Sequence, residues 1–331
     1  MLKIVALVLI LVSGSSLARA AEPVVAYSHR YIPDPQGGQI EIGIFAPTDG
    51  GAKSDLVGAY VEEVAQGAPV TGQGLGLIVF SHGNGGVFSG HVDTALALAR
   101  AGFVVAALTH EGDNYRDQSR AIDLPNRPRQ LKALVDYMLG TWEGRDHLDP
   151  ARVGAFGFSA GGFTVLALAG GEIDLSKVRP HCADHPGYYD CLLIGAHRAS
   201  AQSLEGTHPV LTHDERIRAL VVAAPAMGFA FGPEGLAGVK IPVQLWRAEF
   251  DHILPDPDYA SAVARDLPLR PEVHLVAGAD HFDFLAPCND RLRQVAAFTC
   301  QSRPGFDRTA FHSEFNAAIV QFFTANLPKR P

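Results

Sequence analysis

One serine in the chain lies in a setting that favours nucleophilic chemistry. Ser159 is the centre of the run Gly157-Phe158-Ser159-Ala160-Gly161, which fits the pattern G-x-S-x-G. This pattern places a serine hydroxyl on a tight turn between a strand and a helix, where small residues let the backbone pass close by. The amide of the next residue then lies at a helix N-terminus and can stabilise developing negative charge. An incidental serine in a glycine-rich turn is the alternative, and the strand and helix patterns on either side disfavour it.

A second glycine-rich turn, Ser81-His82-Gly83-Asn84-Gly85-Gly86, follows a buried apolar run. This is the position from which such a sheet supplies the other amide of an oxyanion hole, and we assign that amide to Asn84. A phosphate-binding loop is the alternative, but the Gly-Lys-Ser/Thr of a nucleotide site is missing. The two expected oxyanion donors are therefore the amides of Asn84 and Ala160.

A serine hydroxyl needs a base to accept its proton, and the base needs an acid to orient it. Of the fourteen histidines, His281 is the one that follows the last predicted core strand. Since the chain order must be serine, acid, histidine, the acid should lie between them, and Asp251 follows a predicted strand there. Glu249 is the nearby alternative. His110, Glu111 and Asp113, after the second buried strand, are expected to line the site.

The elements that must position these residues alternate between strand and helix over some 250 residues. This alternation predicts an α/β fold with a mostly parallel central sheet, helices on both faces and a small insertion after the nucleophile helix. The predicted strands are 39–45, 59–65, 75–80, 103–108, 152–158, 217–223, 241–246 and 272–276, and the predicted helices are 91–101, 127–139, 161–169, 258–267 and 309–325. The polar segment at about 171–216 interrupts the alternation and is interpreted as a cap.

The 331-residue chain carries a net charge of -8, which argues against nucleic-acid binding. Residues 1–20 are typical of an export signal, with Lys3, a short apolar run and Ala18-Arg19-Ala20 at the cleavage position. A membrane anchor is the alternative, but the run is about half the length of a span, and no later run is long enough for stable membrane insertion. Residues 21–331 are expected to form a single domain in the periplasm or outside the cell.

Four cysteines in an exported chain predict disulfides, and the local pairs Cys182–Cys191 and Cys288–Cys300 are the simplest of the three possible pairings. Free buried thiols are the alternative. No C-x-x-C spacing occurs, and no histidine pair shows a convincing ligand spacing, so we expect no metal site.

Four motifs follow one another along the chain: the turn at residues 81–86, the turn at residues 157–161, Asp251, and Ala279-Asp280-His281-Phe282. In this order they resemble the α/β-hydrolase superfamily over roughly residues 40–327, which implies the α/β-hydrolase fold. Residues 77–113 are most similar to bacterial dienelactone hydrolases and platelet-activating-factor acetylhydrolases. The resemblance implies a serine hydrolase of small carboxylic esters that uses Ser159, Asp251 and His281 and needs no cofactor. Dienelactone hydrolases carry cysteine at the position of Ser159, which favours general ester hydrolysis here. A serine peptidase of the same fold and a non-catalytic binding protein are the alternatives.

Overall fold

The computed structural model describes residues 22–197 and 208–329, and the predicted export signal lies outside them. Ten strands form one sheet in the order β10-β9-β8-β7-β5-β6-β2-β1-β4-β3. The strands are β1 Val25–Pro33, β2 Gln39–Pro47, β3 Lys53–Val57, β4 Tyr60–Gln66, β5 Leu75–Ser81, β6 Phe103–Thr109, β7 Leu148–Phe158, β8 Ile217–Ala223, β9 Val243–Ala248 and β10 Glu272–Val276. The predicted α/β class is thereby confirmed.

Strands β5 to β10 run parallel to one another. Every residue of β5 and β6 is buried, as expected for strands covered by helices on both faces. The N-terminal strands differ, since β2 pairs antiparallel with β1 and with β6, and β3 and β4 form an antiparallel hairpin at the edge. The carboxyl ends of the parallel strands therefore meet at one edge, where ligands bind in open α/β sheets.

The helices within the described residues are α1 Val92–Arg100, α2 Asn126–Gly140, α3 Ala160–Leu168, α4 Val178–Asp184, α5 Tyr189–Ala196, α6 Gly228–Leu236, α7 Ala260–Asp266, α8 Asp290–Val295 and α9 Arg308–Asn326. The apolar core is divided by the sheet. Helices α2, α3, α6 and α7 pack on one face, and α1 and α9 pack on the other. None of these helices combines the length and apolar composition that a bilayer span requires.

The structure adds detail in two parts of the chain, one of which the sequence prediction missed. Helix α6 is absent from the prediction because Gly232, at φ 67°, and Pro233 interrupt its apolar pattern. The segment interpreted as a cap contains α4 and α5, joined by the disulfide Cys182–Cys191. The second disulfide joins Cys288 to Cys300, so both bonds have the local pairing that the sequence favours.

Candidate active site

Ser159 lies on the turn between β7 and α3 with φ 56° and ψ -119°. A left-handed φ is costly for a residue with a side chain, and such strain is found at functional sites. The turn is tight enough to require glycine on both sides. A Cβ at Gly157 would lie 2.1 Å from the carbonyl oxygen of Gly161, and one at Gly161 would lie 1.9 Å from that of Ser81. The local sequence therefore enforces the geometry that presents the hydroxyl.

The structure brings the three expected catalytic side chains together from three loops. Nε2 of His281 lies 3.0 Å from Oγ of Ser159, and Nδ1 lies 2.7 Å from Oδ2 of Asp251. The imidazole is almost fully buried, and its ring centroid lies 4.8 Å from that of Phe158. The competing Glu249 accepts a hydrogen bond from the amide of Gly278 and does not contact the imidazole. The geometry therefore favours Asp251 as the acid.

The histidine loop is held by carboxylates on either side of His281. Asp280 caps the short 3-10 turn that begins at His281 and accepts a hydrogen bond from its amide. Asp283 is fully buried, pairs with the guanidinium of Arg308 at the start of α9 at 3.0 Å, and also accepts from the hydroxyl of Ser302. These bonds fix the turn that carries the imidazole.

The expected oxyanion donors lie on either side of the serine. Ala160 is the first residue of α3, and Gly83 approaches Ser159 so closely that a Cβ there would lie 3.2 Å from the serine Cβ. Across residues 22–197 and 208–329, the backbone amides of Asn84 and Ala160 donate to no other protein group. Two amides beside one hydroxyl can stabilise a negative oxygen that forms when the hydroxyl adds to a carbonyl.

The loop that carries Asn84 is anchored by a buried ion pair. Oδ1 of Asp113 accepts from the Asn84 side-chain amide at 2.6 Å and from the Gly85 backbone amide at 2.9 Å. Its other oxygen pairs with the guanidinium of Arg127 in α2. That guanidinium also donates to the carbonyl oxygen of His82 and, at 3.0 Å, to the hydroxyl of Thr164.

The loop at residues 81–86, which carries Asn84, is called the oxyanion loop below. Two buried histidines, His82 in this loop and His110 after β6, stay neutral. Burial and the nearby Arg127 guanidinium lower the pKa of His82 to about 3 and lower the pKa of His110 well below its usual value. Their hydrogen bonds fit the neutral form, because Nε2 of His82 accepts from the amide of His110 at 2.9 Å. Nδ1 of His110 lies 2.9 Å from the side-chain oxygen of Gln130. These imidazoles therefore serve as fixed hydrogen-bonding groups.

Sequence reasoning placed Asp113 near the site but missed Arg127 and Tyr189. Tyr189, the first residue of α5, donates its hydroxyl proton to Oδ1 of Asn84 and so links the predicted cap to the oxyanion loop. The signal for Arg127 is its place at the start of an amphipathic helix that packs on the sheet. A buried charge is almost always paired, so an arginine there indicates an acidic partner nearby. No comparable signal marks Tyr189.

Comparison with known proteins shows the fold. A ferulic acid esterase from Streptomyces cinnamoneus matches with a TM-score of 0.62 at 15% sequence identity, covering 96% of this chain and 93% of that chain. A dienelactone hydrolase from Anabaena variabilis matches with a TM-score of 0.54 at 14% identity, covering 93% of this chain and 100% of that one. No family model and no curated protein matches the sequence. The chain has the α/β-hydrolase fold that the order of its motifs predicts.

Proposed function

We propose that the protein hydrolyses small carboxylic esters through an acyl-enzyme on Ser159. The observation that carries this proposal is the continuous hydrogen-bonded chain from Ser159 through His281 to Asp251. The names of the two structural neighbours, an esterase and a dienelactone hydrolase, support ester chemistry. The two disulfides support a periplasmic or secreted location.

The proposed reaction has two halves. Oγ of Ser159 attacks the ester carbonyl carbon while Nε2 of His281 accepts its proton, and the amides of Asn84 and Ala160 bind the oxyanion. The C–O bond to the alcohol then breaks, and His281 returns the proton to the leaving oxygen. Water repeats the sequence on the acyl-enzyme and releases the acid. Asp251 accepts the Nδ1–H bond throughout, which fixes the tautomer and stabilises the imidazolium.

Substitution of the serine tests the proposal. Ser159→Ala should lower kcat on p-nitrophenyl esters by on the order of 10⁶-fold, the scale of loss when such a serine is removed. The variant should also fail to react with a fluorophosphonate probe that labels the wild type. Ser313→Ala, at an exposed position on α9, is the matched control and should keep full activity and labelling.

Three results would overturn the assignment. If Ser159→Ala kept a tenth of wild-type activity, another group would be the nucleophile. If the wild type cleaved p-nitroanilides of amino acids faster than p-nitrophenyl acetate, butyrate and octanoate, the peptidase alternative would replace ester hydrolysis. A wild type that neither cleaved these substrates nor reacted with the probe would favour the non-catalytic alternative.

A further inference from the structure

A second cluster of chemistry-bearing side chains lies where α4 meets the turn before α7. His181 lies in α4, and His185, four residues later, caps the C-terminus of that helix with its amide bonded to the carbonyl oxygen of His181. Asp258 lies against them. One ring nitrogen of each histidine and one carboxylate oxygen of Asp258 all lie within 4.8 Å of one another. The separation between Nε2 of His185 and Oδ2 of Asp258 is 3.4 Å.

The two imidazole rings are already fixed in place. His181 is buried and stacks on Phe229 of α6, with ring centroids 3.6 Å apart and an interplanar angle of 9°. His185 stacks on Tyr188, with centroids 4.4 Å apart and an angle of 8°. The disulfide from Cys182 in α4 to α5 restrains the same segment. Little side-chain freedom would therefore be lost if these groups bound a common ligand.

A buried carboxylate lies behind His181. The hydroxyl of Tyr259 lies 2.9 Å from both oxygens of Asp190 and 3.0 Å from Nε2 of His181. An imidazole has two ring nitrogens, so this bond orients the ring and leaves the other nitrogen for an ion. Within the described ranges, Asp190 forms no ion pair with lysine or arginine, although its side chain is buried. Hydrogen-bonded carboxylates of this kind commonly orient metal-binding histidines.

We propose that His181, His185 and Asp258 bind one zinc ion, with Tyr259 and Asp190 orienting His181. Two imidazoles and a carboxylate are a donor set that suits zinc. With bonds of about 2.0–2.1 Å, neighbouring ligands of a tetrahedral ion lie roughly 3.3–3.4 Å apart, close to the observed separation of His185 and Asp258. Water would complete the coordination.

The proposed ion would connect α4 to the segment that follows the Asp251 loop. Because α4 is bonded to α5 by its disulfide, the ion would also restrain the helix from which Tyr189 reaches Asn84. The sequence holds these two histidines at H-x-x-x-H spacing in Arg179-Pro180-His181-Cys182-Ala183-Asp184-His185, a spacing that the sequence alone did not make convincing. The cluster therefore challenges the expectation, drawn from the sequence, that the protein has no metal site.

Zinc binding to the untagged full chain tests the proposal. After dialysis against a chelator, the protein is titrated with zinc sulfate in competition with a chromophoric chelator, and its Tm is followed by differential scanning fluorimetry. We expect one ion per chain, a Kd in the micromolar range or below, and a rise in Tm on the order of 5 °C at free zinc 100-fold above Kd. Asp258→Asn and His185→Ala should each weaken binding more than about 100-fold, since even outer-shell changes cost 10- to 100-fold.

His213→Ala is the matched control, because His213 belongs to the same insertion, at about residues 171–216, but pairs with Glu172. It should bind zinc as the wild type does. The proposal is overturned if the wild type binds no zinc at 100 μM, roughly the weakest affinity of interest for such a site. It is also overturned if folded His185→Ala or Asp258→Asn keeps wild-type affinity, or if His213→Ala loses as much affinity as they do. Should one of the two ligand variants fail to fold, the other decides.

Discussion

Asp113→Asn is the substitution that separates positioning of the oxyanion loop from the chemistry of the triad. The change removes one negative charge and keeps the shape of the side chain. In the wild type, Asp113 accepts from Asn84 and Gly85 and pairs with Arg127. In the variant the side chain ends in a neutral amide. Either its NH₂ group or its carbonyl oxygen, which is a weaker acceptor than a carboxylate oxygen, must then face the guanidinium of Arg127.

The size of the effect follows from burial. The side chains of Asp113 and Arg127 are 1% and 2% exposed, so water cannot compensate the guanidinium once its partner is neutral. Loss of one partner of a buried pair costs about 3–5 kcal/mol of stability. Loss of one oxyanion donor costs about 10²–10³-fold in kcat. Because the Asn84 amide is displaced rather than deleted, we expect the lower end, about 10²-fold in kcat, with KM nearly unchanged.

Two assays measure the two effects independently. Urea unfolding at neutral pH gives the change in unfolding free energy, and hydrolysis of p-nitrophenyl butyrate at a temperature where the variant is folded gives kcat and KM. The control is Asp123→Asn, which breaks an exposed pair with Arg120 and should cost only about 0–1 kcal/mol with no change in kcat. If Asp113→Asn lost stability but kept wild-type kcat, the loop-positioning argument would be wrong. If its stability equalled that of the control, the buried pair would not matter to the fold.

Three further predictions concern other parts of the molecule. Asp251→Asn should lower kcat on the order of 10⁴-fold through the wrong imidazole tautomer, and Glu249→Gln far less; kinetics showing the reverse order would move the acid to Glu249. Burial lowers the pKa of His91 to about 4, so the unfolded chain takes up a proton between pH 6.5 and 4, and stability falls as pH falls through this window. His91→Phe should remove about 2 kcal/mol of the stability loss between pH 8 and pH 5 in urea unfolding, and an unchanged pH slope would contradict this. Mild reduction of Cys288–Cys300 should lower activity before the far-ultraviolet circular dichroism changes, because the bond closes the loop that follows His281; simultaneous loss of both signals would refute that role.

The central sheet could be predicted from the sequence because its strands are buried on both faces. Unbroken apolar runs such as residues 75–80 and 103–108 can form little else between glycine-rich turns, and their ends agree with β5 and β6 to within one residue. Prediction failed where the pattern carries less information. Strand β3 has a mostly exposed face and no apolar alternation, and α6 is interrupted by Gly232 and Pro233.

The expected triad could be predicted because the fold fixes the chain order of its members, so each motif limits the search for the next. Residues that only position the expected catalytic groups have no fixed place in this chain order. Tyr189 and Asn84 are 105 positions apart, and nothing local to either indicates that the two side chains meet. The proposed zinc site also joins residues that are far apart in sequence, the two histidines of α4 and its C-cap on one side and Asp258 on the other. Only the three-dimensional arrangement therefore shows that the spacing of the two histidines matters.

The two loops that carry the expected chemistry are anchored in the same way but to opposite faces of the sheet. Asp113 ties the oxyanion loop to Arg127 of α2, whose apolar residues belong to one core. Asp283 ties the histidine loop to Arg308 at the start of α9, whose phenylalanines belong to the other core. Each loop is irregular and must expose polar groups, so packing alone cannot hold it. A buried carboxylate–guanidinium pair supplies direction as well as energy. The serine turn between the two loops is held by the sheet itself, and an anchor to each helical layer fixes both loops relative to that turn before any substrate arrives.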